Sequence, residues 1–74
     1  MRVTVTLKGA LADRLPGGRG EVEVPEGAPV EAILDALGLP QAPCVYVVDG
    51  APRTRGAPLA DGDRVVVHPP QAGG

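Results

Sequence analysis

Few side chains in this sequence could act as a nucleophile, and the two most suggestive ones occur once each. Cys44 is the one cysteine and His68 the one histidine among 74 residues. If the strands that hold them pair antiparallel, a Cys–His pair is geometrically possible and would activate the thiol. We favour the simpler interpretation, in which Cys44 packs as a small apolar side chain and His68 ends a strand. No third residue is evident that would orient the imidazole.

The acidic residues and the glycine-rich segment do not predict a site either. Asp61 and Asp63 flank Gly62, an arrangement typical of a turn in which Asp bonds nearby backbone. Two carboxylates are too few for a hard cation that takes about six or more oxygens. Residues 17–20 (GGRG) resemble a phosphate loop, but they lie between two predicted strands rather than between a strand and a helix. We therefore expect no bound metal or cofactor.

The end of the sequence is more informative than its side chains. Pro69 and Pro70 remove two ladder donors and so end the last strand, and residues 71–74 (QAGG) follow. Glycines without a Cβ can lie in a narrow channel that would exclude any side chain. Such a tail would present the α-carboxylate of Gly74 to another enzyme, which could activate it as an acyl-adenylate. The alternative interpretation is an ordinary frayed end.

The elements that must position this tail follow from the alternation of apolar residues. Strands are predicted at 2–8, 20–25, 43–48 and 64–68, because each alternates or is rich in valine. The hairpin signal Asp49-Gly50 predicts a short return strand at 51–54. A helix is predicted at 29–37, where apolar residues recur at helical spacing between Pro29 and Gly38. Leu11 and Leu15 are expected to pack under the edge of the sheet, and Leu59 is expected to pack into the core.

This order of elements predicts an α+β fold of the β-grasp, or ubiquitin-like, arrangement. We expect a mixed sheet of four to five strands with one main helix packed on one face. The first and last strands should lie side by side in the middle. Residues 1–68 would form the one domain and residues 69–74 a flexible tail. With Tyr46 as the one aromatic residue, the core must be aliphatic.

Composition excludes several classes of partner. The net charge is -2 and the sequence contains no Phe and no Trp, so neither a basic footprint nor a stacking platform for nucleic acid is present. Residues 45–48 form an apolar run far too short to span a bilayer. A single cysteine excludes an internal disulfide and a four-cysteine metal site. We expect a cytoplasmic protein that binds neither nucleic acid nor membrane.

Several motifs together resemble the ubiquitin-like sulfur carriers, and most closely the small subunit of molybdopterin synthase. The motifs are LPGG at 15–18, VEVPEGA at 22–28, DGD at 61–63, VVV at 65–67 and PPQAGG at 69–74. The resemblance covers essentially the whole chain. Its most specific part is the Pro-Pro-x-x-Gly-Gly end.

The resemblance implies a carrier that is not itself an enzyme. A ubiquitin-activating-like enzyme would adenylate Gly74 with ATP and magnesium, and a sulfur donor would convert the adenylate to a thiocarboxylate. The large subunit of molybdopterin synthase would then accept the sulfur. Carriers for thiazole synthesis, tRNA thiolation or cysteine synthesis remain alternatives, as does a β-grasp interaction module without sulfur chemistry.

One face of the predicted sheet has no helix to cover it, yet the last strand offers three consecutive valines at 65–67 and the third strand an apolar run at 44–48. Alternation would send about half of these residues to the uncovered face and create a protein docking surface, unless loops cover it. The candidates are Tyr46, Val48, Val66 and His68. Which of the two alternating sets of residues in the third strand faces outward is left open. The tail would enter the partner through Pro69, Pro70, Gln71, Ala72 and Gly73, with Gly74 reacting.

Overall fold

A computed structural model describes residues 1–70. Five strands are present in this part of the chain: β1 (Arg2–Leu7), β2 (Arg19–Glu23), β3 (Val45–Val48), β4 (Ala51–Arg53) and β5 (Arg64–His68). An α-helix, α1, runs from Ala32 to Ala36, and a 3₁₀ helix spans Gly9–Arg14.

The strands form one mixed sheet in the order β2-β1-β5-β3-β4. β1 pairs antiparallel with β2 and parallel with β5, so the first and last strands are adjacent at the centre, as predicted. β3 pairs antiparallel with both β5 and β4. The carboxyl end of β5 therefore lies next to the start of β3, and the chain leaves the sheet there.

The core lies between the sheet and α1, and its members are aliphatic except for Tyr46. Leu59 plugs it as predicted, and the half-buried Leu11 and Leu15 pack against it. The buried side chains of the sheet and of α1 are Val3, Val5, Leu7, Val22, Ile33, Leu34, Tyr46, Val48, Val65 and Val67.

The expectation that Tyr46 and Val48 lie on the uncovered face is wrong. Tyr46 stands opposite Val67, and Val48 stands opposite Val65. Since Val65 and Val67 both point towards the core, their partners must do so too. Tyr46 is only 2% exposed. The uncovered face instead receives Val45 and Val47.

The helix is shorter than the predicted span of 29–37. Pro29 forms an isolated β-bridge with Pro58, and the Val30 N–H donates to the Ala57 carbonyl at 2.9 Å. Pro29 and Val30, the first residues with helical spacing, thus bond through their backbone to the loop that precedes Leu59. At the other end Gly38, with a φ of 70°, terminates the helix.

Candidate functional site

The chain leaves the sheet at the end of a central strand. The Lys8 N–H donates to the Val67 carbonyl at 3.0 Å, which continues the pairing of β1 and β5 up to the proline pair. Pro69 is half-buried and Pro70 is exposed. The predicted site residues Gln71, Ala72, Gly73 and Gly74 lie outside the described residues. We call Pro69 and Pro70 the root of the predicted tail. The root follows directly after β5, which is hydrogen-bonded to β1 at the centre of the sheet.

An apolar patch lies on the uncovered face beside this root. Val45 is 54% exposed, and it stands opposite the exposed His68. Val47 stands opposite Val66, and both are half-buried. We call these four residues the apolar patch. Val66 and His68 were predicted to lie on this face, whereas Val45 and Val47 were not.

A sequence signal for Val45 and Val47 did exist. Arg64 and His68 alternate with Val66 in β5, so Val65 and Val67 must be the buried pair. In β3 the large ring of Tyr46 is the side chain that most favours burial. If Tyr46 points to the core, alternation sends Val45 and Val47 to the other face.

Charge is distributed unevenly over the uncovered face. At the end near the proline pair, Arg19 stands opposite Thr6, and Lys8 follows Thr6 in the same alternation. At the far end Glu21 and Glu23 face β1.

The acidic end of the face is anchored through Arg2. Its Nη2 contacts Glu23 Oε1 at 3.0 Å, and its backbone N–H donates to Asp61 Oδ1 at 2.8 Å. The hydrogen bond to Glu23, with the charge of Glu21, raises the pKa of Arg2. Exposed basic residues thus lie beside the apolar patch, while at the far end of the face the Arg2 side chain pairs with Glu23.

Cys44 and His68 do not form a catalytic pair. Cys44 lines a cavity of about 330 Å³ together with Tyr46, on the core side of β3, whereas His68 lies on the opposite face of the sheet. Burial raises the pKa of the Cys44 thiol, and its interaction with the Tyr46 hydroxyl only partly opposes this. Burial likewise raises the pKa of Tyr46 to about 12. The thiol is therefore protonated at neutral pH, which does not suit a nucleophile.

Within residues 1–70, no group of three or more His, Cys, Asp and Glu residues is placed to hold a metal ion. No helix of those residues is long and apolar enough to cross a membrane.

The sheet order, the helix on one face and the exit of the chain from a central strand define a β-grasp, or ubiquitin-like, protein. A model of the ThiS family matches residues 5–74. The chain therefore belongs to the ThiS family of small ubiquitin-like sulfur carriers.

Solved structures support the same fold. The chain is 24% identical to SAMP1 from Haloferax volcanii, with a TM-score of 0.73 and full coverage of both chains (100% and 100%). A second structure, of small archaeal modifier protein 1 from the same organism, is 22% identical with a TM-score of 0.74, covering 95% of this chain and 98% of that one.

A third similar structure comes from Pyrococcus furiosus and is provisionally named molybdopterin converting factor subunit 1. It is 22% identical with a TM-score of 0.72, covering 95% of this chain and 98% of that one. No curated protein sequence matches the chain.

Proposed function

We propose that this chain carries sulfur as a thiocarboxylate on Gly74. The observation that carries the proposal is the family match, which runs to residue 74 and so includes Gly73 and Gly74. The geometry of the root supports it. Pro69 and Pro70 follow β5 directly. The tail would therefore begin at the end of a central strand that is hydrogen-bonded to β1, and not in a loop. Residues 69–74 would act as the tail, and residues 1–68 as the domain that presents it.

The chemistry requires no catalytic side chain from this protein. A carboxylate oxygen of Gly74 would attack the α-phosphorus of ATP on an activating enzyme that holds magnesium, and pyrophosphate would leave. Hydrosulfide would then attack the acyl carbon, AMP would leave, and the remaining proton would pass to solvent. The product is a thiocarboxylate, whose soft anionic sulfur suits attack on carbon. The partners supply the catalysis, and this chain supplies the reacting group.

The apolar patch would be the docking surface for these partners. Val45 is the one large apolar side chain that is exposed in the described part of the protein, and it lies beside the root of the tail. An interface centred on the patch would bury Val45 and bring the tail to the partner in one orientation. Lys8 and Arg19 favour a partner with acidic residues at the rim, because complementary charge speeds the encounter.

Among the pathways that could receive the sulfur, we rank molybdopterin synthesis first. This chain would then be the small subunit of molybdopterin synthase. The Pro-Pro-x-x-Gly-Gly end of the sequence and the Pyrococcus furiosus structure support this ranking. Thiazole synthesis, tRNA thiolation and cysteine synthesis remain alternatives, as does an interaction module without sulfur chemistry.

A second candidate function uses the same adenylate. The two Haloferax volcanii structures, one described as a small archaeal modifier protein, favour it. A lysine amine of a target protein would attack the acyl carbon of Gly74, AMP would leave, and an amide bond would join the two proteins. The two functions differ only in the nucleophile that the adenylate meets.

Intact mass measurement tests the proposal. The protein is incubated with ATP, magnesium, sulfide and an activating enzyme from the same organism, and the modified residue is then mapped. We expect a gain equal to one sulfur in place of one oxygen, located at Gly74 and dependent on ATP. Mapping is needed because oxidation of Met1 adds nearly the same mass.

The matched control is the variant that lacks Gly73 and Gly74, which should gain no mass. If the truncated variant gains the same mass, Gly74 is not the reactive residue. If the full chain gains none with any activating enzyme of the organism, the carrier function is wrong and the interaction module is favoured. Conjugates of higher mass with added cell proteins, formed through lysine, would instead support the modifier function.

A further inference from the structure

The cavity on the core side of β3 lies between the segment that joins α1 to β3 and the loop that follows β4. Its volume of about 330 Å³ falls near the lower end of the range of small-molecule sites, about 300–1,000 Å³. It can therefore hold one small molecule but not a folded segment of a partner. The residues that line it are Gln41, Ala42, Pro43, Cys44, Tyr46 and Arg55.

The lining is apolar inside and charged at one point of the rim. The inner residues are the buried Tyr46 and the half-buried Ala42 and Cys44, whereas Gln41 and Arg55 are exposed. Arg55 is the one charged residue in this lining, within residues 1–70. A molecule with an apolar body and a carboxylate would therefore meet a complementary group at each end.

Glu31, just before α1, holds both segments that bound the cavity. Gln41 Nε2 donates to the Glu31 carbonyl at 2.9 Å and to Asp35 Oδ1 at 2.8 Å. In the loop after β4, the Gly56 N–H donates to Glu31 Oε1 at 2.8 Å. Because both segments are bonded to the same residue, the cavity is formed before any ligand enters, which lowers the cost of binding.

Arg55 can bind a second carboxylate while it keeps its contact with Glu31. That contact joins Arg55 Nε to Glu31 Oε2 at 3.6 Å, so it occupies one side of the guanidinium and leaves the two Nη atoms for another anion. A guanidinium binds a carboxylate through two parallel N–H donors. Glu31 and Asp35 carry the nearby negative charges, but neither lines the cavity in the described part of the chain.

We propose that this cavity binds a free small molecule that combines an apolar ring or chain with a carboxylate group. The apolar part would pack against Ala42, Pro43 and Tyr46. The carboxylate would accept hydrogen bonds from the two Nη atoms of Arg55. This inference goes beyond sulfur transfer, because the cavity involves neither Gly74 nor the apolar patch on the other face of the sheet.

Benzoate is the probe, and protection of the Cys44 thiol is the readout. Because Cys44 lines the cavity, an occupant should shield its sulfur from iodoacetamide. The alkylation rate is measured against benzoate concentration at constant pH and ionic strength. It should fall to a plateau with a Kd of about 10 mM or below, as expected for so small a ligand.

Benzamide and benzamidinium have nearly the shape of benzoate and test the preference for negative charge. Neutral benzamide should bind at least about fivefold more weakly than benzoate, because a hydrogen bond to a charged acceptor is stronger. Benzamidinium, which brings a second cation to Arg55, should bind more weakly still.

Arg55→Gln removes the guanidinium and should weaken benzoate about fivefold or more, while the Kd of benzamide changes by less than about twofold. Arg53→Gln is the matched control. Arg53 is exposed in β4 and does not line the cavity, so its removal changes the net charge equally and should leave the Kd of benzoate within about twofold. Urea unfolding checks that both variants are folded.

Three results would overturn the inference. The first is a thiol that benzoate fails to protect at about five times the expected Kd. The second is equal protection by all three probes, because the cavity would then select only an apolar ring. The third is an equal loss in the Arg53 and Arg55 variants. None of these measurements uses ATP or an activating enzyme, so their failure and that of the proposed function are separate.

Discussion

Among the single residues, Tyr46 combines a large apolar ring with a polar atom that has no clear partner in residues 1–70. Its hydroxyl is buried there without a hydrogen bond of ordinary geometry. An unsatisfied buried hydroxyl is unfavourable, whereas the ring packs in the hydrophobic core. The residue is therefore held by the volume of its ring and not by its hydroxyl.

Tyr46→Phe should leave the free energy of unfolding unchanged or raise it by up to about 1 kcal/mol. Tyr46→Ala, which empties the site, should lower it by about 3–5 kcal/mol. Urea titration of both variants measures the difference. A loss of more than about 1 kcal/mol in the Phe variant would mean that the hydroxyl makes a bond that stabilises the fold.

Cys44 should react slowly with iodoacetamide at neutral pH, because the reactive thiolate is depleted by its raised pKa and by partial burial. The rate should rise as the pH passes the ordinary thiol value of 9.0. The same protein unfolded in urea provides the control and should react like a free thiol. A folded protein that reacts faster than the unfolded one at neutral pH would revive the idea of a nucleophilic cysteine.

Among the elements, α1 is joined at its start by Glu31 to the loop that carries Leu59. Glu31 Oε1 accepts the Gly56 N–H at 2.8 Å, and its Oε2 lies 3.6 Å from Arg55 Nε. Although the helix is short, its entry is therefore tied to a distant segment. Hydrogen bonds from its own backbone N–H and that of Gly56, aided by the Arg55 charge, lower the pKa of Glu31.

This shift predicts a specific loss of stability in acid. A carboxyl with a lowered folded pKa stabilises the protein above its unfolded pKa, and that stabilisation disappears as the pH falls through the folded pKa. The window lies below the ordinary value of 4.5. Glu31→Gln should remove that component of the pH dependence, measured as free energy of unfolding against pH.

Glu26→Gln, at an exposed position in the preceding turn, is the matched control and should keep the pH profile of the unmodified protein. Identical profiles for the Glu31 and Glu26 variants would contradict the role assigned to the Glu31–Gly56 bond.

The pairing of β3 with β5 brings the residues of the apolar patch together on the uncovered face of the sheet. Val45→Asp should weaken binding of the activating enzyme at least about tenfold, or about 1.4 kcal/mol, because a charge would be buried at the centre of the interface. Val45→Thr keeps the branched shape and should weaken it less. Calorimetric titration measures both.

Ala36→Asp, at an exposed position of α1, is the control on the other side of the sheet. If Ala36→Asp weakens binding as much as Val45→Asp does, the partner docks elsewhere.

In the molecule as a whole, the core closes without the tail. Within residues 1–70, every buried apolar side chain lies between Val3 and Val67, and the first and last strands pair with each other. Removal of residues 71–74 should therefore change the free energy of unfolding by less than about 0.5 kcal/mol. Thermal or urea unfolding measures this, and a loss above about 1 kcal/mol would mean that the domain extends beyond residue 68.

Local sequence patterns predicted most of the elements. The span 64–68 of the last strand was confirmed residue for residue, and the first strand differs by one residue at its end. Both are rich in β-branched residues, which favour strands. The helix was overestimated because helical spacing cannot reveal that the Pro29 and Val30 backbone bonds to a distant loop.

The amino-acid order alone was enough to predict where the chain turns, which segments become strands, and that the last strand ends at the proline pair. These features depend on backbone restrictions and on neighbours a few residues apart. The packed fold was needed to establish that Tyr46 and Val48 of β3 pair with the buried valines of β5, and hence that Val45 rather than Tyr46 is exposed. That pairing joins residues that are distant in sequence, so alternation within β3 indicates the exposed face only once the burial of Tyr46 is assumed.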